Sequence, residues 1–565
     1  MRGIRLARLE HALAVVLLLA VAACTTMPAS APQTAGAATA AAPLAKFIGS
    51  WALDLSKPEG GQTVTKSELR ISRLPGGKLQ IVTFVVRSDF TSMSSRVAFA
   101  LDGNDNPVTG NRDVDASSFT SPDPNTLVIK EKKAGKLVDE VVIVVSPDGK
   151  TLTGTISGTG PDGKPTEIIK TWHKNENKAA APSSGSRAAD QPIAADHPGP
   201  PPAATSTPES TIEIPVTGAT YNLKTLATVR LLYATDRRHA VTEGRINYGT
   251  TRESPLQYGA VEVTIPPNHK RGNIEKPFIL SVASFDIYEE PEDPAKHFIL
   301  LAPQPLTAEQ FKARISGAPK KRALIYIHGF GTSFKNAALT TAQLAYDIKF
   351  DGTPIFFSWP SLGSVDPRAY NTDGDAARTA EIDLKELLTN VRSSVGADGE
   401  IYLIAHSMGN VPLLDFLYDA DKAAVPNLLA NEIVFAAPDV DRDYFLSRIE
   451  TLTQKHERMT LYASSKDKAL LISSSVLREG PPRAGLVLDG GLPAIIRAGI
   501  DTIDVSALST DIFDVAHGTY AQSAVLLDDL GKLFGSPNYT PPDKRNPNMR
   551  AVALPEGTFW RIQPY

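Results

Sequence analysis

Two hydrophobic rhythms divide this chain. In its first third, Val97, Phe99 and Leu101 alternate with polar neighbours, as do Leu152 and Ile156 around Gly154. That period of two belongs to half-buried strands. Further apolar runs at 79–86, 137–145 and 168–172 are separated by Pro75-Gly76-Gly77, Pro147-Asp148-Gly149 and Pro161-Asp162-Gly163. Each is a turn signal, because proline presets φ and glycine accepts a positive one. Many short strands joined by tight turns predict a small antiparallel β-barrel over residues 45–174. From residue 211 the rhythm changes. Apolar runs at 323–327, 355–358, 401–404, 433–436 and 459–463 are spaced by helical patterns, one placing Ala377, Ala380, Leu384, Leu387, Leu388 and Val391 on a single face. Strand–helix alternation predicts an α/β domain over residues 211–535, a mostly parallel sheet with helices on both faces. Val229–Tyr233 and Val261–Ile265 read as antiparallel strands that open it.

Between these regions the composition shifts. Residues 175–210 are rich in Ala, Pro and Ser and cannot bury enough apolar surface to fold, so they read as a linker. Residues 24–44 read as a flexible tether and 536–565 as a C-terminal tail. Residues 1–23 combine Arg2, Arg5 and Arg8 with an apolar core from Ala12 to Ala22, the pattern of an export signal. The segment ends in Val21-Ala22-Ala23-Cys24, which resembles the lipobox of bacterial lipoproteins. That resemblance implies cleavage before Cys24, lipid attachment to it and a membrane partner through the anchor. Thr25 at the next position implies the outer membrane, facing the periplasm. Cys24 is the only cysteine, so no intrachain disulfide forms. A net charge of −4 with 21% charged residues shows no basic excess, so nucleic acid is not expected as a partner. No metal-ligand spacing and no phosphate loop occurs, so no cofactor is expected. The oligomeric state is not legible.

The chemistry centres on Ser407. The apolar strand Ile401-Tyr402-Leu403-Ile404 runs into Ala405-His406-Ser407-Met408-Gly409 and then a helical pattern. A serine at such a sharp strand-to-helix turn needs very small residues two before and two after it, here Ala405 and Gly409. A serine hydroxyl is a poor nucleophile without a base oriented by an acid. After Ser407 the histidines are His456, in a polar turn entering a strand, and His517, in a loop after the last strand. His517 is the expected general base. Asp467 follows the strand at 459–463 and is the expected acid; Asp439 and Asp441, after the preceding strand, are its rivals and can instead cap or brace the sheet edge. Ala323-Leu324-Ile325-Tyr326-Ile327-His328-Gly329-Phe330-Gly331 supplies the expected oxyanion hole, one donor being the amide of Phe330 or Gly331 and the other that of Met408. His328 reads as a structural buttress beside the substrate pocket. Trp359 either lines an acyl pocket or packs. The polar residues Asp366, Arg368, Tyr370, Asp373 and Asp375 read as a lid or rim.

The motifs Tyr233-Ala234-Thr235-Asp236-Arg237, Ile327-His328-Gly329-Phe330, Phe357-Ser358-Trp359-Pro360-Ser361, His406-Ser407-Met408-Gly409, Ala437-Pro438-Asp439-Val440-Asp441 and Tyr462-Ala463-Ser464-Ser465-Lys466-Asp467 together resemble a family of bacterial α/β-hydrolases of undefined substrate, described as esterase/lipase-like, over residues 225–535. The resemblance implies a serine hydrolase acting on a small-molecule or lipid ester, with acyl transfer or thioester cleavage open to the same groups. Members of that family carry Asn after His-Gly-Phe, where this chain has Gly331. The barrel stands outside the family pattern. Its opening, Phe47-Ile48-Gly49-Ser50-Trp51, resembles the entry of lipocalin-like bacterial domains, which implies either a cavity for an apolar ligand or a packed barrel with Trp51 in its core. A binding lipoprotein carrying an inactive hydrolase fold is the competing reading.

Overall fold

The computed structural model describes residues 44–54, 64–74, 78–87, 92–107, 115–159, 165–175, 211–214, 219–222, 226–242, 245–277, 279–282, 285–289, 292–363, 369–422, 430–449, 458–467, 470, 481–508, 524–535 and 538–563. The signal segment with Cys24, most of the tether, the 176–210 part of the linker, Asp366, Arg368, His456 and His517 lie outside the described residues.

The first region is all β. Its strands are β1 (Gly49–Leu53), β2 (Val64–Arg73), β3 (Leu79–Arg87), β4 (Ser92–Phe99), β5 (Asp105–Pro107), β6 (Ala116–Asp123), β7 (Thr126–Lys133), β8 (Lys136–Val145), β9 (Thr151–Thr159) and β10 (Pro165–Lys174). They form one antiparallel sheet in the order β4-β3-β2-β1-β10-β9-β8-β7-β6-β5, a nearly closed barrel. The inward set defines its core: Leu69, Ile71, Ile81, Phe99, Phe119, Leu127, Ile129, Ile143, Leu152 and Trp172 are all buried. Trp51 is completely buried among them, its Nε1–H donating to the Phe47 carbonyl at 2.9 Å. Phe99 stacks on Phe119 with ring centroids 3.8 Å apart. Pro147-Asp148-Gly149 makes the expected turn, with Gly149 at φ +71° and its N–H donating to the Ser146 carbonyl. The turns at 75–77 and 161–163 lie outside the described residues.

A small hairpin, β11 (Thr211–Ile214) with β12 (Ala219–Asn222), precedes the second region. That region opens on two long antiparallel strands, β13 (Ala227–Thr242) and β14 (Arg245–Ile265). The hairpin of β15 (Ile279–Val282) and β16 (Phe285–Glu289) follows, then the short edge strands β17 (Ile299–Leu300) and β18 (Gln304–Leu306) and the helix α1 (Ala308–Ser316). The repeating part comprises β19 (Arg322–Ile327), α2 (Phe334–Asp347), β20 (Thr353–Ser358), α3 (Ala369–Thr379), α4 (Glu381–Val395), β21 (Glu400–His406), α5 (Asn410–Lys422), β22 (Glu432–Ala436), α6 (Arg442–Ile449) and β23 (Met459–Ala463). After the pair β24 (Val487–Leu488) and β25 (Leu492–Pro493) come β26 (Ile500–Asp504), α7 (Ala524–Gly535), α8 (Pro542–Arg545), β27 (Met549–Leu554) and β28 (Gly557–Ile562). The large sheet has the order β17-β14-β13-β20-β19-β21-β22-β23-β26-β28-β27, with β18 also on β14. From β13 to β28 every pairing is parallel.

The central strands are apolar throughout because both faces are covered. Ile325, Ile327, Ile355 and Phe357 pack with residues of α1, α3, α4, α5 and α6. Leu324, Tyr326 and Ile404 pack on the opposite face with residues of α2 and α7. The apolar face expected as one helix spans two, since α3 ends at Thr379 and α4 begins at Glu381. The Ala380 N–H still donates to the carbonyls of Ala376 and Ala377, and all six residues of that face are buried in one cluster.

Residues 536–565, read as a tail, are a correction: they carry α8 and two strands, and β28 extends the sheet beside β26. Arg545, completely buried, holds them there. Its Nε donates to Asp529 Oδ1 at 2.8 Å, and Tyr462 Oη donates to the other oxygen of that carboxylate at 2.5 Å. A buried guanidinium on a buried carboxylate keeps its place only when so paired.

One close approach in the opening hairpin is enforced by glycine. Tyr233 lies opposite Gly259, and a Cβ built on Gly259 would stand 2.1 Å from the Tyr233 hydroxyl. That hydroxyl is 2.9 Å from the hydroxyl of Tyr248. In the same hairpin Asp236 is completely buried, with Arg252 Nε 3.3 Å from its Oδ2. Burial, with the charge of Asp383 adding to it, pushes the Asp236 carboxyl up from 3.8 to about 7, against the pull of Arg252. An acid with a raised folded pKa binds its proton more tightly when folded. Its favourable contribution is therefore full below the ordinary value of 3.8 and is lost as pH rises through about 7. Asp236→Asn cannot ionise, so it is expected to flatten the fall of Tm between pH 4 and 8 and to be the more stable protein at pH 8. Parallel Tm curves for the two proteins would contradict this.

Candidate active site

The carboxyl ends of β19 to β23 and β26 deliver the loops of the site to one edge of the sheet. At the end of β21 the chain turns through Ser407, which has φ +51°, a conformation costly for any residue with a Cβ. One turn of 3-10 helix, Ser407–Gly409, leads directly into α5. Asn410 braces the turn, its Nδ2 donating to the carbonyls of Ala405 (3.1 Å) and Ser407 (2.8 Å). The glycines explain how the elbow fits under the neighbouring loop. A Cβ on Gly409 would stand 2.4 Å from the His328 carbonyl oxygen and 2.7 Å from that of Ile327; one on Gly329 would stand 2.8 Å from Ser407 Cβ.

The loop after β19 lies across the elbow. Gly331 has φ +65°, and its N–H donates to Asp373 Oδ2 at 3.0 Å. This amide is thus engaged inside the protein, and Phe330 remains as the loop's other expected donor. Met408 sits buried in the turn after Ser407. His328 and Trp359 stand beneath the loop and not at its mouth. Both are completely buried and stack at 4.8 Å, and Trp359 Nε1 donates to the His328 carbonyl at 2.8 Å. The His328 imidazole Nε2 sits among Arg237 Nη2 (3.3 Å), Ser358 Oγ (3.4 Å) and the Trp359 carbonyl (3.1 Å). Burial, then the Arg237 charge, holds its pKa well below the usual range. Burial likewise pushes His406 down to about 4. Both imidazoles are neutral near pH 7.

The three carboxylates differ. Asp441 Oδ1 accepts from the N–H groups of Asp443 (2.9 Å) and Tyr444 (3.0 Å), capping α6. Asp439 is buried; Tyr370 Oη donates to its Oδ2 at 2.9 Å, and Arg483 Nε lies 3.2 Å from its Oδ1, an ion-pair contact not aligned as a hydrogen bond. Its own N–H donates to the Ser407 carbonyl at 3.2 Å. Asp467 is buried past the end of β23, and its Oδ1 accepts from the Leu470 N–H at 3.0 Å. The stretch expected as a lid or rim instead begins a helix that faces inward. Tyr370 and Asp373 are buried, the Tyr370 ring standing edge-on to Phe330 at 5.4 Å, while Asp375 is exposed.

Sequence reasoning did not single out Arg237, Asn410, Ser361 or Arg483 for the site, and it misread Asp373. Arg237 did carry a signal: an Asp-Arg pair that prolongs an apolar strand has to find buried partners. Among the described residues no group of three or more His, Cys, Asp or Glu side chains is placed to hold a metal ion. No helix among them is long and apolar enough to cross a membrane.

A mostly parallel sheet covered on both faces, with a serine elbow at its carboxyl edge, is an α/β-hydrolase domain, here preceded by an antiparallel, nearly closed barrel. Residues 305–534 match the family described as alpha/beta hydrolase of unknown function (DUF900); the match starts later than residue 225, where the resemblance in the motifs begins. No curated protein matches the chain. Among solved structures, the fluorescent protein UnaG aligns at 20% identity over 23% of this chain and 98% of its own, with a TM-score of 0.18. The Schistosoma mansoni fatty acid binding protein in complex with arachidonic acid aligns at 17% identity over 24% and 98%, also at 0.18. Pyrococcus horikoshii acylaminoacyl peptidase aligns at 9% identity over 89% and 99%, with a TM-score of 0.26.

Proposed function

We propose that the protein is a serine hydrolase that cleaves a carboxylic ester through an acyl-enzyme. The observation that carries this reading is Ser407 at positive φ on a strand-to-helix turn. Backbone strain of that kind is kept where it presents a nucleophile. In this reading Ser407 Oγ attacks the ester carbonyl carbon while its proton passes to the imidazole of His517. The oxyanion is held by the amides of Phe330 and Met408. The C–O bond then breaks, the alcohol leaves with the proton from His517, and the acyl group stays on Ser407. Water then attacks the acyl carbon, giving its proton to His517; the bond from that carbon to Ser407 Oγ breaks, Oγ takes the proton back from His517, and the acid is released. Asp467 orients the imidazole. Asp467 has the place expected of the acid, past the end of β23, while Asp441 caps α6 and Asp439 lies against Arg483 and Tyr370.

The lipobox-like run ending in Cys24 extends the proposal to a lipid-anchored enzyme of the bacterial outer membrane facing the periplasm, with a small-molecule or lipid ester as substrate. p-Nitrophenyl esters of increasing chain length test the activity. The expected result is saturable turnover with a preferred acyl length; a folded protein that hydrolyses none of them would contradict it. The acid assignment has its own test. Asp467→Asn is expected to lower kcat by about 10²–10⁴-fold with the fold retained. Asp441→Asn is expected to be nearly silent, because asparagine caps a helix as well as aspartate does. The reverse ranking would overturn the assignment.

A further inference from the structure

Three buried side chains from three different parts of the chain hold residues 331 and 332 of the loop after β19. Arg237, at the end of the β13 segment that pairs with β20, spreads its guanidinium beneath the loop. Its Nη2 donates to the Thr332 carbonyl at 2.8 Å, its Nη1 to the carbonyls of Ser361 and Gly249 at 2.9 Å each, and its Nε to Ser358 Oγ at 2.8 Å. Ser361 Oγ accepts from the Thr332 N–H at 3.0 Å and donates to Asp373 Oδ2 at 2.6 Å. Asp373 takes the Gly331 N–H on the same oxygen at 3.0 Å and the Leu362 N–H on Oδ1 at 2.8 Å. Arg237, Ser361 and Asp373 are all buried. The loop is therefore gripped on its carbonyl side by a cation and on its amide side by a carboxylate.

The consequence falls on the preceding peptide, between Gly329 and Phe330, which carries the Phe330 N–H. With the Gly331 N–H drawn to Asp373, the Phe330 amide is left as this loop's donor toward the elbow. Its direction is set by how residues 331 and 332 are anchored. An oxyanion donor acts through preorganisation, and a misplacement of about 1 Å can cost about 10²-fold in rate. We propose that Arg237, Ser361 and Asp373 form a clamp that orients the Phe330 amide, making all three positioning residues for ester hydrolysis. The proposal rests on the reading of Ser407 as the acylated nucleophile.

The test compares wild type with Ser361→Ala and Arg237→Lys. Ser361→Ala removes the link between Thr332 and Asp373; Arg237→Lys keeps the charge but loses the fork. kcat and KM are measured per titrated active site. So is the inhibition constant of an aryl trifluoromethyl ketone, whose tetrahedral adduct on serine places an oxyanion in the hole. The expected result for Ser361→Ala is a fall in kcat of about 30–100-fold, an equal loss of ketone affinity, a KM within about threefold of wild type and a cooperative thermal transition. Arg237→Lys is expected to move the same pair of constants in the same direction. A role confined to stability would lower Tm while leaving kcat per active site and ketone affinity unchanged, and that result in either folded variant overturns the clamp. A wild type that neither turns over esters nor binds the ketone sinks the hydrolase reading instead. An active wild type with unaffected variants sinks only the clamp.

Discussion

Ser407→Ala is expected to lower kcat for ester hydrolysis by about 10⁴–10⁶-fold while leaving the folded protein intact. The size follows from what the oxygen does. Without it no acyl-enzyme forms, and the remaining amides and pocket can only assist direct attack by water, which in serine hydrolases leaves a small residue of rate. The fold should survive because the turn does not depend on the hydroxyl. Asn410 and the close approach of Gly409 to β19 hold it through backbone atoms, and alanine meets no more steric conflict at φ +51° than serine does. The measurement is steady-state turnover with a chromogenic ester, beside a thermal melt. A loss smaller than about tenfold would move the chemistry to another side chain.

Gly409→Ala is the second large effect, and it acts through one methyl group. The new Cβ would stand 2.4 Å from the His328 carbonyl oxygen, 2.7 Å from the Ile327 oxygen and 3.0 Å from the His328 carbonyl carbon. All three are backbone atoms, two of them leading into the oxyanion loop, so no flexible side chain can swing away. The elbow and the loop must part by several tenths of an ångström. The expected cost is about 3 kcal/mol of stability, at the upper end for overpacking a buried site. The same parting separates the Ser407 hydroxyl from the Phe330 amide, so a kcat loss of about 10²-fold is expected in whatever protein still folds. A denaturant melt and kcat per titrated site check the two halves separately. An unchanged midpoint would show that the loop is free to move, and would weaken the clamp as well.

What was legible in the sequence shares one property: it is local. The strand before Ser407, the small residues around it and the position of Asp467 past β23 are all set by neighbours in the chain, because a sharp turn demands particular residue types at fixed offsets. The alternation of Val97 with Phe99 and the Pro-Asp-Gly turn at 147–149 made the barrel legible for the same reason. The parts that were missed depend on partners far away in sequence. Asp373 looked like a solvated rim because its helix carries Asp375 and Arg378 close by, yet its carboxylate meets Gly331 and Ser361 across the site. Arg237 sits about 120 residues from Ser358 and Ser361, and spacing cannot announce such a meeting. The strands at 549–554 and 557–562 were passed over because their outward residues, Arg550 and Thr558 among them, dilute a buried set of Met549, Phe559 and Ile562. His517 reads in the sequence as lying in a loop after the last strand, but β27 and β28 follow it; His517 itself lies outside the described residues.

The central claim is that Ser407 is an activated nucleophile. Its most direct test is covalent labelling of the full chain with a fluorophosphonate, the adduct being located by peptide mass spectrometry. The account predicts stoichiometric modification of the peptide containing Ser407, abolished in Ser407→Ala and strongly slowed in His517→Ala. A cooperatively folded wild type that stays unlabelled, or one labelled at another residue with Ser407 untouched, would contradict it.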